Sequence, residues 1–126
     1  MKVFLAAALI GAMALPVAAQ ELLREEIRRE AVPGSDNMVV IVARLTVQPG
    51  ATVPLHTHPG DEHAVVITPT TAQTPGGDIV EFAVGTSLYF PEGAIHGGLT
   101  NVGDSDMVAI TTHVVRADEP LTALAN

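Results

Sequence analysis

The chain has 126 residues, a net charge of −8 at pH 7, no cysteine and only 3% aromatic residues. This length fits one domain with one hydrophobic core. The acidic balance argues against nucleic acid and anionic lipid as partners, and the absence of thiols excludes disulfides, thiol catalysis and cysteine-ligated zinc.

Residues 1–19 have the layout of a secretory signal peptide. Lys2 is followed by an apolar run from Val3 to Leu15, and Pro16 precedes small residues that end at Ala19. The run is shorter than the roughly 20 residues of a membrane-spanning helix, so cleavage near Ala19 is favoured over membrane anchoring. We therefore predict a periplasmic or secreted protein that has no membrane contact after signal cleavage.

The mature chain is predicted to consist of an N-terminal arm, residues 20–36, a barrel, residues 37–117, and a C-terminal tail, residues 118–126. The arm contains ELLREEIRRE, residues 21–30, which is compatible with a short helix or with a strand that pairs with a sheet edge. A charged, solvated flank is the simplest interpretation. The arm or a barrel edge could mediate homodimer formation, which light scattering on a chain lacking residues 20–31 would test.

Beyond residue 31 the sequence consists of short strand candidates separated by turns. MVVIVARLTVQ, residues 38–48, is rich in β-branched residues and alternates in its second half. Further strand candidates are EHAVVIT, DIVEFAV, SLYFP and MVAITTHVV, and PGD, TPGGD and PEGA supply turn signals between them. Because sustained helical periodicity is lacking here, the sequence predicts an all-β barrel or sandwich.

Three of the five histidines fall in PLHTHPGDEH, residues 54–63. His56 and His58 lie two positions apart, so on a strand they share one face about 6.5 Å apart. The PGD that follows indicates a turn, after which the Glu62 carboxylate could return toward the same ion. Two imidazoles and a carboxylate suit Fe, Mn, Ni, Cu or Zn.

A second segment, GTSLYFPEGAIH, covers residues 85–96. It contains a strand candidate, then a tight turn at PEG, and then His96. A closed antiparallel barrel could bring this segment beside His56 and His58, and His96 would then be the third imidazole.

These two segments resemble the two sequence motifs of the cupin family. The first motif is Gly, five residues, His-x-His, three or four residues and Glu, matched here by Gly50, His56, His58 and Glu62. The second is Gly, five residues, Pro-x-Gly, two residues and His, matched here by Gly85, Pro91, Gly93 and His96.

The chain departs from the cupin pattern at three positions outside the ligand set. Pro69 stands where the first motif ends in Gly, and Thr86 stands where Asp is frequent. Asn101 comes one position later than the Asn of the second motif, after a Gly-Gly pair that could form a bulge. These departures concern turns rather than ligands.

The resemblance implies an all-β, single-domain jelly-roll barrel that binds one divalent transition metal through His56, His58, Glu62 and His96. The chain is similar to small cupins grouped with quercetin-dioxygenase-like proteins, which implies a mononuclear-metal oxygenase acting on a small organic substrate. Glu62 would then be the catalytic residue, a ligand that also takes a proton from the substrate. Two alternatives stay open: a non-catalytic domain that binds a metal or small ligand, and an isomerase or lyase with a non-redox ion.

The remaining histidines and two aromatic residues are interpreted as structural. On a regular strand His63 points away from Glu62 and is a rim or surface residue. His113 is interpreted as a satisfied barrel histidine or a surface residue rather than a ligand. Tyr89 and Phe90 are adjacent, so one of the two points into the barrel.

Overall fold

The structure is a computed structural model that describes residues 21–126, and the predicted signal peptide, residues 1–19, lies outside the described residues. Within residues 21–126, no helix is long and apolar enough to cross a membrane. The strands are β1 Leu22–Ala31, β2 Met38–Val47, β3 His56–Thr57, β4 Gly60–Thr68, β5 Thr70–Gln73, β6 Ile79–Phe82, β7 Ser87–Phe90, β8 Thr100–Asn101, β9 Met107–Arg116 and β10 Ala123–Leu124.

The strands pair antiparallel in three sheets. The largest has five strands in the order β1-β2-β9-β4-β7, and the others are β6-β5-β8 and β10-β3. Strand β9 lies between β2 and β4, so strands far apart in the chain become neighbours, as in a jelly roll. The predicted all-β fold is confirmed.

One face of the five-stranded sheet is buried, and strand alternation explains which residues lie on it. Along β2 the odd positions from 41 to 47 are buried, whereas the positions between them are more exposed. Residues directly opposite each other on paired strands share a face. One row across the inner face therefore contains Ile41, His113, Glu62 and Phe90.

The three-stranded sheet packs against this inner face at one end. Val66 from β4, Ala72 from β5 and Phe82 from β6 form one buried apolar cluster. Leu45 and Val47 from β2 form a second cluster with the loop residue Ala51. The first cluster holds the two sheets together, and the buried polar residues Glu62 and His113 lie farther along the inner face.

The N-terminal segment forms a strand, although the sequence favoured a solvated flank. β1 pairs along its length with β2, with a register shift between Glu26 and Arg28, and its residues are exposed. Its charged side chains partly pair with one another, as in the Arg29–Glu26 ion pair at 2.8 Å. The segment was ambiguous because a strand of exposed, mostly charged residues lacks hydrophobic alternation.

Asn101 in β8 is a buried polar anchor for three loops. Its side-chain amide donates to the carbonyl oxygens of Val47, at 2.8 Å, and Ser105, at 2.9 Å. Its Oδ1 accepts from the Gly103 amide at 2.9 Å and from the Thr70 hydroxyl at 2.6 Å. The side chain thus provides hydrogen-bond partners for four polar groups that would otherwise have to bond to water.

We expect Asn101→Ala to lower the free energy of unfolding by about 3–4 kcal/mol, because it leaves several buried groups without partners. Urea denaturation of the purified chain measures this change. Asn37→Ala is the matched control, since Asn37 is exposed and its side chain forms one hydrogen bond within the described region, to Asp118; it should cost less than about 1 kcal/mol. Equal losses for the two variants would contradict the anchoring role.

Candidate metal centre

The structure brings together all four residues that the sequence predicted as metal ligands: His56, His58, Glu62 and His96. His56 lies in β3 and His58 directly follows it, so the backbone presents both rings to the barrel interior. Both are 4% exposed, and their ring centroids are 4.7 Å apart. The two-residue spacing therefore has the consequence expected of a strand.

Two backbone contacts place His96 beside them. The amide of His56 donates to the His96 carbonyl at 2.9 Å, and the amide of His96 donates to the His56 carbonyl at 3.0 Å. The Gly93 amide of the preceding turn also donates to the His58 carbonyl. This antiparallel bridge joins the two sequence segments, as predicted for a closed barrel.

The four ligand atoms converge on one point. The Nε2 atoms of His56 and His58 are 3.1 Å apart. Oε2 of Glu62 lies 2.9 Å from Nε2 of His58 and 2.8 Å from Nε2 of His96. Two ligands at right angles, each about 2.1 Å from a transition metal, are about 3.0 Å apart, so these spacings fit a shared ion.

A backbone carbonyl fixes the protonation of each imidazole. Nδ1 of His56 contacts the Pro54 carbonyl at 2.7 Å, and Nδ1 of His96 contacts the Ala94 carbonyl at 2.9 Å. Nδ1 of His58 contacts the Leu121 carbonyl at 2.6 Å. A carbonyl oxygen only accepts hydrogen bonds, so each Nδ1 carries a proton, and in the neutral ring, the form that binds a metal, each Nε2 presents a lone pair to the cluster.

The contact to Leu121 gives the last residues of the chain a role at the site. These residues showed little pattern in the sequence and belong to the predicted C-terminal tail. In the structure β10 pairs with β3, with Leu124 opposite His56. The pairing with β3 thereby holds in place the segment whose Leu121 carbonyl orients the His58 ring.

The electrostatics of the cluster favour an ionised Glu62 beside a neutral His56. Burial alone would raise the pKa of Glu62, but hydrogen bonds with His113, His58 and His96 outweigh it and hold that pKa far below its ordinary value. Burial lowers the pKa of His56. A deprotonated acid and a neutral imidazole are the forms in which these side chains bind metals.

His96 shows the opposite balance, because its partners outweigh its desolvation. Burial would lower the pKa of His96, but its hydrogen bonds to Glu62 and to the Ala94 carbonyl raise that pKa above the ordinary value. Phe90 stacks on the His96 ring, with centroids 4.1 Å apart and planes 10° apart. Phe90 is thus the inward member of the Tyr89–Phe90 pair, and it holds the ring orientation.

His63 faces away from the site, as the sequence indicated. It is exposed, and its ring stacks on Tyr89 at 4.8 Å. Tyr89 itself is 55% exposed. His63 and Glu62 are neighbours in β4, so the alternation of the strand separates them onto opposite faces.

Two residues beside the cluster were not predicted as site residues. His113 is fully buried, and its Nε2 lies 3.4 Å from Oε1 of Glu62 and 3.3 Å from a guanidinium nitrogen of Arg24. Its Nδ1 has no hydrogen-bond partner within residues 21–126, so the expectation of a fully satisfied histidine is wrong. Burial lowers the pKa of His113, which favours its neutral form.

The position of His113 follows from strand register, which the sequence does not display. His113 lies directly opposite Glu62 in the β4–β9 pair. Arg24 reaches the same place from β1, where it lies opposite Leu45. If residues 22–31 had been predicted as a strand, Arg24 could have been expected near the site. That segment, however, lacks the alternation of apolar and polar residues that indicates a strand.

A cavity of about 80 Å³ adjoins the cluster. Three of the four clustered residues, His56, Glu62 and His96, contribute to its wall, together with Arg24. Aliphatic side chains make up most of the remainder, among them Leu45, Val66, Leu88, Leu99 and Met107. A small molecule inside this cavity would touch the metal cluster directly.

The sequence of residues 43–114 matches the family model of the cupin domain, which is more than half of the chain. The chain belongs to the cupin family. The matched residues include the whole four-residue cluster, so the family match and the geometry concern the same part of the molecule. No curated protein is significantly similar to this cupin in sequence.

Solved structures show the same fold at low sequence identity. A cupin domain from Bordetella pertussis is 22% identical over 79% of this chain and 98% of its own, with a TM-score of 0.56. A protein with a double-stranded β-helix domain from Klebsiella pneumoniae is 21% identical over 89% and 90%, with a TM-score of 0.59. The DMSP lyase of Ruegeria pomeroyi is 16% identical over 82% of this chain but only 51% of its own, with a TM-score of 0.57.

Proposed function

We propose that this cupin binds one divalent transition metal, drawn from Fe, Mn, Ni, Cu and Zn, through His56, His58, Glu62 and His96. The proposal rests on the observation that the hydrogen-bond acceptor atoms of these four side chains face one another. Three backbone carbonyls take the Nδ1 protons, so with neutral rings three Nε2 lone pairs and a carboxylate oxygen lie within 4.8 Å of one another. A cation is the partner that turns this repulsive arrangement into a favourable one.

We further propose that the site belongs to a mononuclear-metal oxygenase similar to quercetin-dioxygenase-like cupins, with a small organic substrate. The cavity supports this, because three ligand residues line it and the aliphatic wall admits an organic molecule while excluding bulk water. A bound redox-active metal would supply Lewis acidity and reactivity toward O₂. The four ligand residues leave part of the coordination sphere of a six-coordinate ion open to substrate.

Glu62 and Phe90 would have further roles beside the bound metal. Oε2 of Glu62 faces the imidazoles of His58 and His96, whereas Oε1 faces His113. Glu62 can therefore keep one oxygen on the cluster and accept a substrate proton on the other. The stacked ring of Phe90 limits rotation of His96 at the cavity wall.

The first experiment measures metal and oxygen together. The mature chain, purified without a histidine tag, is analysed for bound metal by mass spectrometry and for substrate-dependent O₂ uptake. About one redox-active ion per chain, with O₂ uptake, supports the oxygenase. A chain that holds no stoichiometric metal contradicts the whole proposal, and zinc without O₂ uptake contradicts the oxygenase alone.

A lyase with a non-redox ion is the second candidate. One neighbour in fold is a DMSP lyase, and Glu62 at the cavity wall would be the base that removes a proton, whichever metal is bound. Elimination requires a proton acceptor and an electrophile but no oxidant. Turnover without O₂ in an anaerobic chamber would favour this candidate, and a metal-loaded chain that turns nothing over would favour a non-catalytic binding domain.

For the proton-transfer role we expect Glu62→Gln to keep a bound metal at reduced affinity but to lose at least about 100-fold in turnover. The amide has the size of the acid but cannot accept the proton in the same way. Metal content and turnover are measured on the same samples, with Glu81→Gln as control because Glu81 is exposed in β6. A Glu62→Gln chain with full metal and full turnover would exclude Glu62 as the catalytic residue.

Export and self-association are two further parts of the proposal. We propose that cleavage near Ala19 releases the mature chain into the periplasm or the medium, which N-terminal sequencing of the secreted protein tests. We also propose a homodimer through β1, whose exposed Leu23 and Ile27 lie on an edge strand. Light scattering with and without residues 20–31 distinguishes dimer from monomer.

A further inference from the structure

Arg24 extends from the edge strand β1 into the mouth of the barrel. One guanidinium nitrogen lies 3.3 Å from the Thr111 hydroxyl and 3.3 Å from Nε2 of His113. Both of these partners are 0% exposed. The residue as a whole is exposed, so the side chain runs from solvent to the buried end of the cavity.

No carboxylate within residues 21–126 lies within 4.0 Å of the Arg24 guanidinium, so it forms no ion pair there. The described region contains five arginines and no lysine. Three of the other arginines, Arg28, Arg29 and Arg116, are paired with glutamates. Glu26, the acid on the same inner face of β1, is held by Arg29 at 2.8 Å, so the charge of Arg24 is left for another partner.

The hydrogen bonds of Arg24 use only part of its capacity. A guanidinium has five N–H donors in a planar fork that matches a carboxylate in two-point contact. The contacts to Thr111 and His113 involve one nitrogen. Arg24 contributes to the cavity wall, so a molecule in the cavity lies within reach of the remaining donors.

The charge of the cavity also requires a counterion. The proposed divalent metal and Arg24 together carry more positive charge than the single carboxylate of Glu62 neutralises. The wall is otherwise mostly aliphatic, and an uncompensated charge in such surroundings is costly. An anion bound between the cluster and Arg24 would remove this imbalance.

We propose that Arg24 binds the carboxylate of the substrate and thereby restricts this cavity to small carboxylic acids with a short aliphatic body. The inference deepens the proposed function and rests on the proposed metal site. A cavity of about 80 Å³ holds roughly five to eight non-hydrogen atoms if each water-sized sphere takes about 10–15 Å³. Propionate and butyrate have this size, one carboxylate and an aliphatic remainder.

The test uses the full mature chain loaded with one equivalent of Zn²⁺, whose metal content is measured in every sample. Propionate and butyrate are titrated against it, with propionamide and butyramide as neutral analogues of equal shape, and ¹H–¹⁵N chemical shifts report binding. The variants are Arg24→Met, which keeps length without charge, and Arg24→Lys, which keeps charge without the fork. Arg44→Met is the control, because Arg44 is exposed on the outer face of β2 and belongs neither to the cavity wall nor to the cluster.

We expect the wild type to bind the carboxylates at least about tenfold more tightly than the amides. Arg24→Met should weaken carboxylate binding by about 10- to 100-fold, leave amide binding and metal content unchanged, and thus reduce the preference. Arg24→Lys should weaken carboxylate binding less, by about three- to tenfold. Arg44→Met should match the wild type.

The possible results distinguish a failure of this inference from a failure of the proposed metal site. Because a metal ion by itself also favours carboxylates over amides, the deciding quantity is the change in the carboxylate-to-amide ratio caused by Arg24→Met. An unchanged ratio in a metal-loaded Arg24→Met chain overturns the inference, as does a wild type that binds acids and amides equally. A wild type that retains no zinc overturns the proposed metal site instead.

Discussion

Replacing both His56 and His58 by alanine is expected to reduce bound metal from about one ion per chain to less than about 0.1, because half of the ligand set is removed. Nε2 of His58 lies within 3.1 Å of both the His56 Nε2 and the Glu62 Oε2, so the two histidines contribute adjacent ligand atoms. Mass spectrometry of the purified chain gives the stoichiometry. The predicted loss is large because a site with one imidazole and one carboxylate has few bonds left to offset dehydration of the ion.

The same variants test the coupling of metal to stability. A metal that binds only the folded chain stabilises it by about 2.7 kcal/mol at a free concentration of 100 times the Kd. Thermal unfolding of the wild type should therefore shift upward when metal is added, and that of the double variant should not. A double variant that retains the metal, or shows the same metal-dependent shift, would contradict the proposed ligand set.

His63→Ala is the matched control for both measurements. His63 lies in the same short segment and is also a histidine, but it is exposed and stacks on Tyr89 on the outer face of the sheet. Its replacement should leave the metal stoichiometry unchanged. A loss of metal in His63→Ala would mean that the strand alternation has been assigned to the wrong face.

The sequence predicted the fold class and the pairing of His56 with His58 because both depend on local spacing. Alternation in residues 38–48 indicates a strand, and the His-x-His spacing places two rings on one face whatever the rest of the chain does. The return of Glu62 and the approach of His96 needed more than spacing, and the cupin resemblance supplied it. The position of the ligands was therefore predictable, although their mutual distances were not.

The sequence did not reveal Arg24, His113 or the Leu121 carbonyl, because all three act through long-range pairing. His113 enters the site through the β4–β9 register, and Arg24 through a β1–β2 pair that contains a register shift. Leu121 acts through its backbone oxygen, which no side-chain pattern can indicate. Strand register and backbone acceptors become visible only when the sheets are assembled.

The second large effect is expected from a substitution at Gly97, where the backbone conformation leaves no room for a side chain. Gly97 has a φ of +97°, and a Cβ at this position would lie 2.3 Å from the Pro54 carbonyl oxygen and 3.2 Å from Nδ1 of His56. That carbonyl is the acceptor that fixes the His56 tautomer. Any side chain at residue 97 must therefore displace the contact that orients one ligand of the cluster.

We expect Gly97→Ala to lower the free energy of unfolding by about 3–5 kcal/mol, from backbone strain and from the collision with a backbone atom. Metal affinity, measured by competition with a chelator, should fall at least about tenfold because His56 loses its orientation. The free energy of unfolding is measured by urea denaturation of the metal-free chain, so that the two effects are obtained separately.

Gly77→Ala provides the control that separates strain from collision. Gly77 has a similar φ of +93°, but a Cβ there meets nothing within 4 Å. Its replacement carries the cost of an unfavourable backbone angle alone, about 1–2 kcal/mol, and lies in the turn between β5 and β6, away from the cluster. The difference between the two variants measures what the close approach of Gly97 to the Pro54 carbonyl contributes. If both variants lose the same stability and keep the same metal affinity, the orientation of His56 does not depend on that approach.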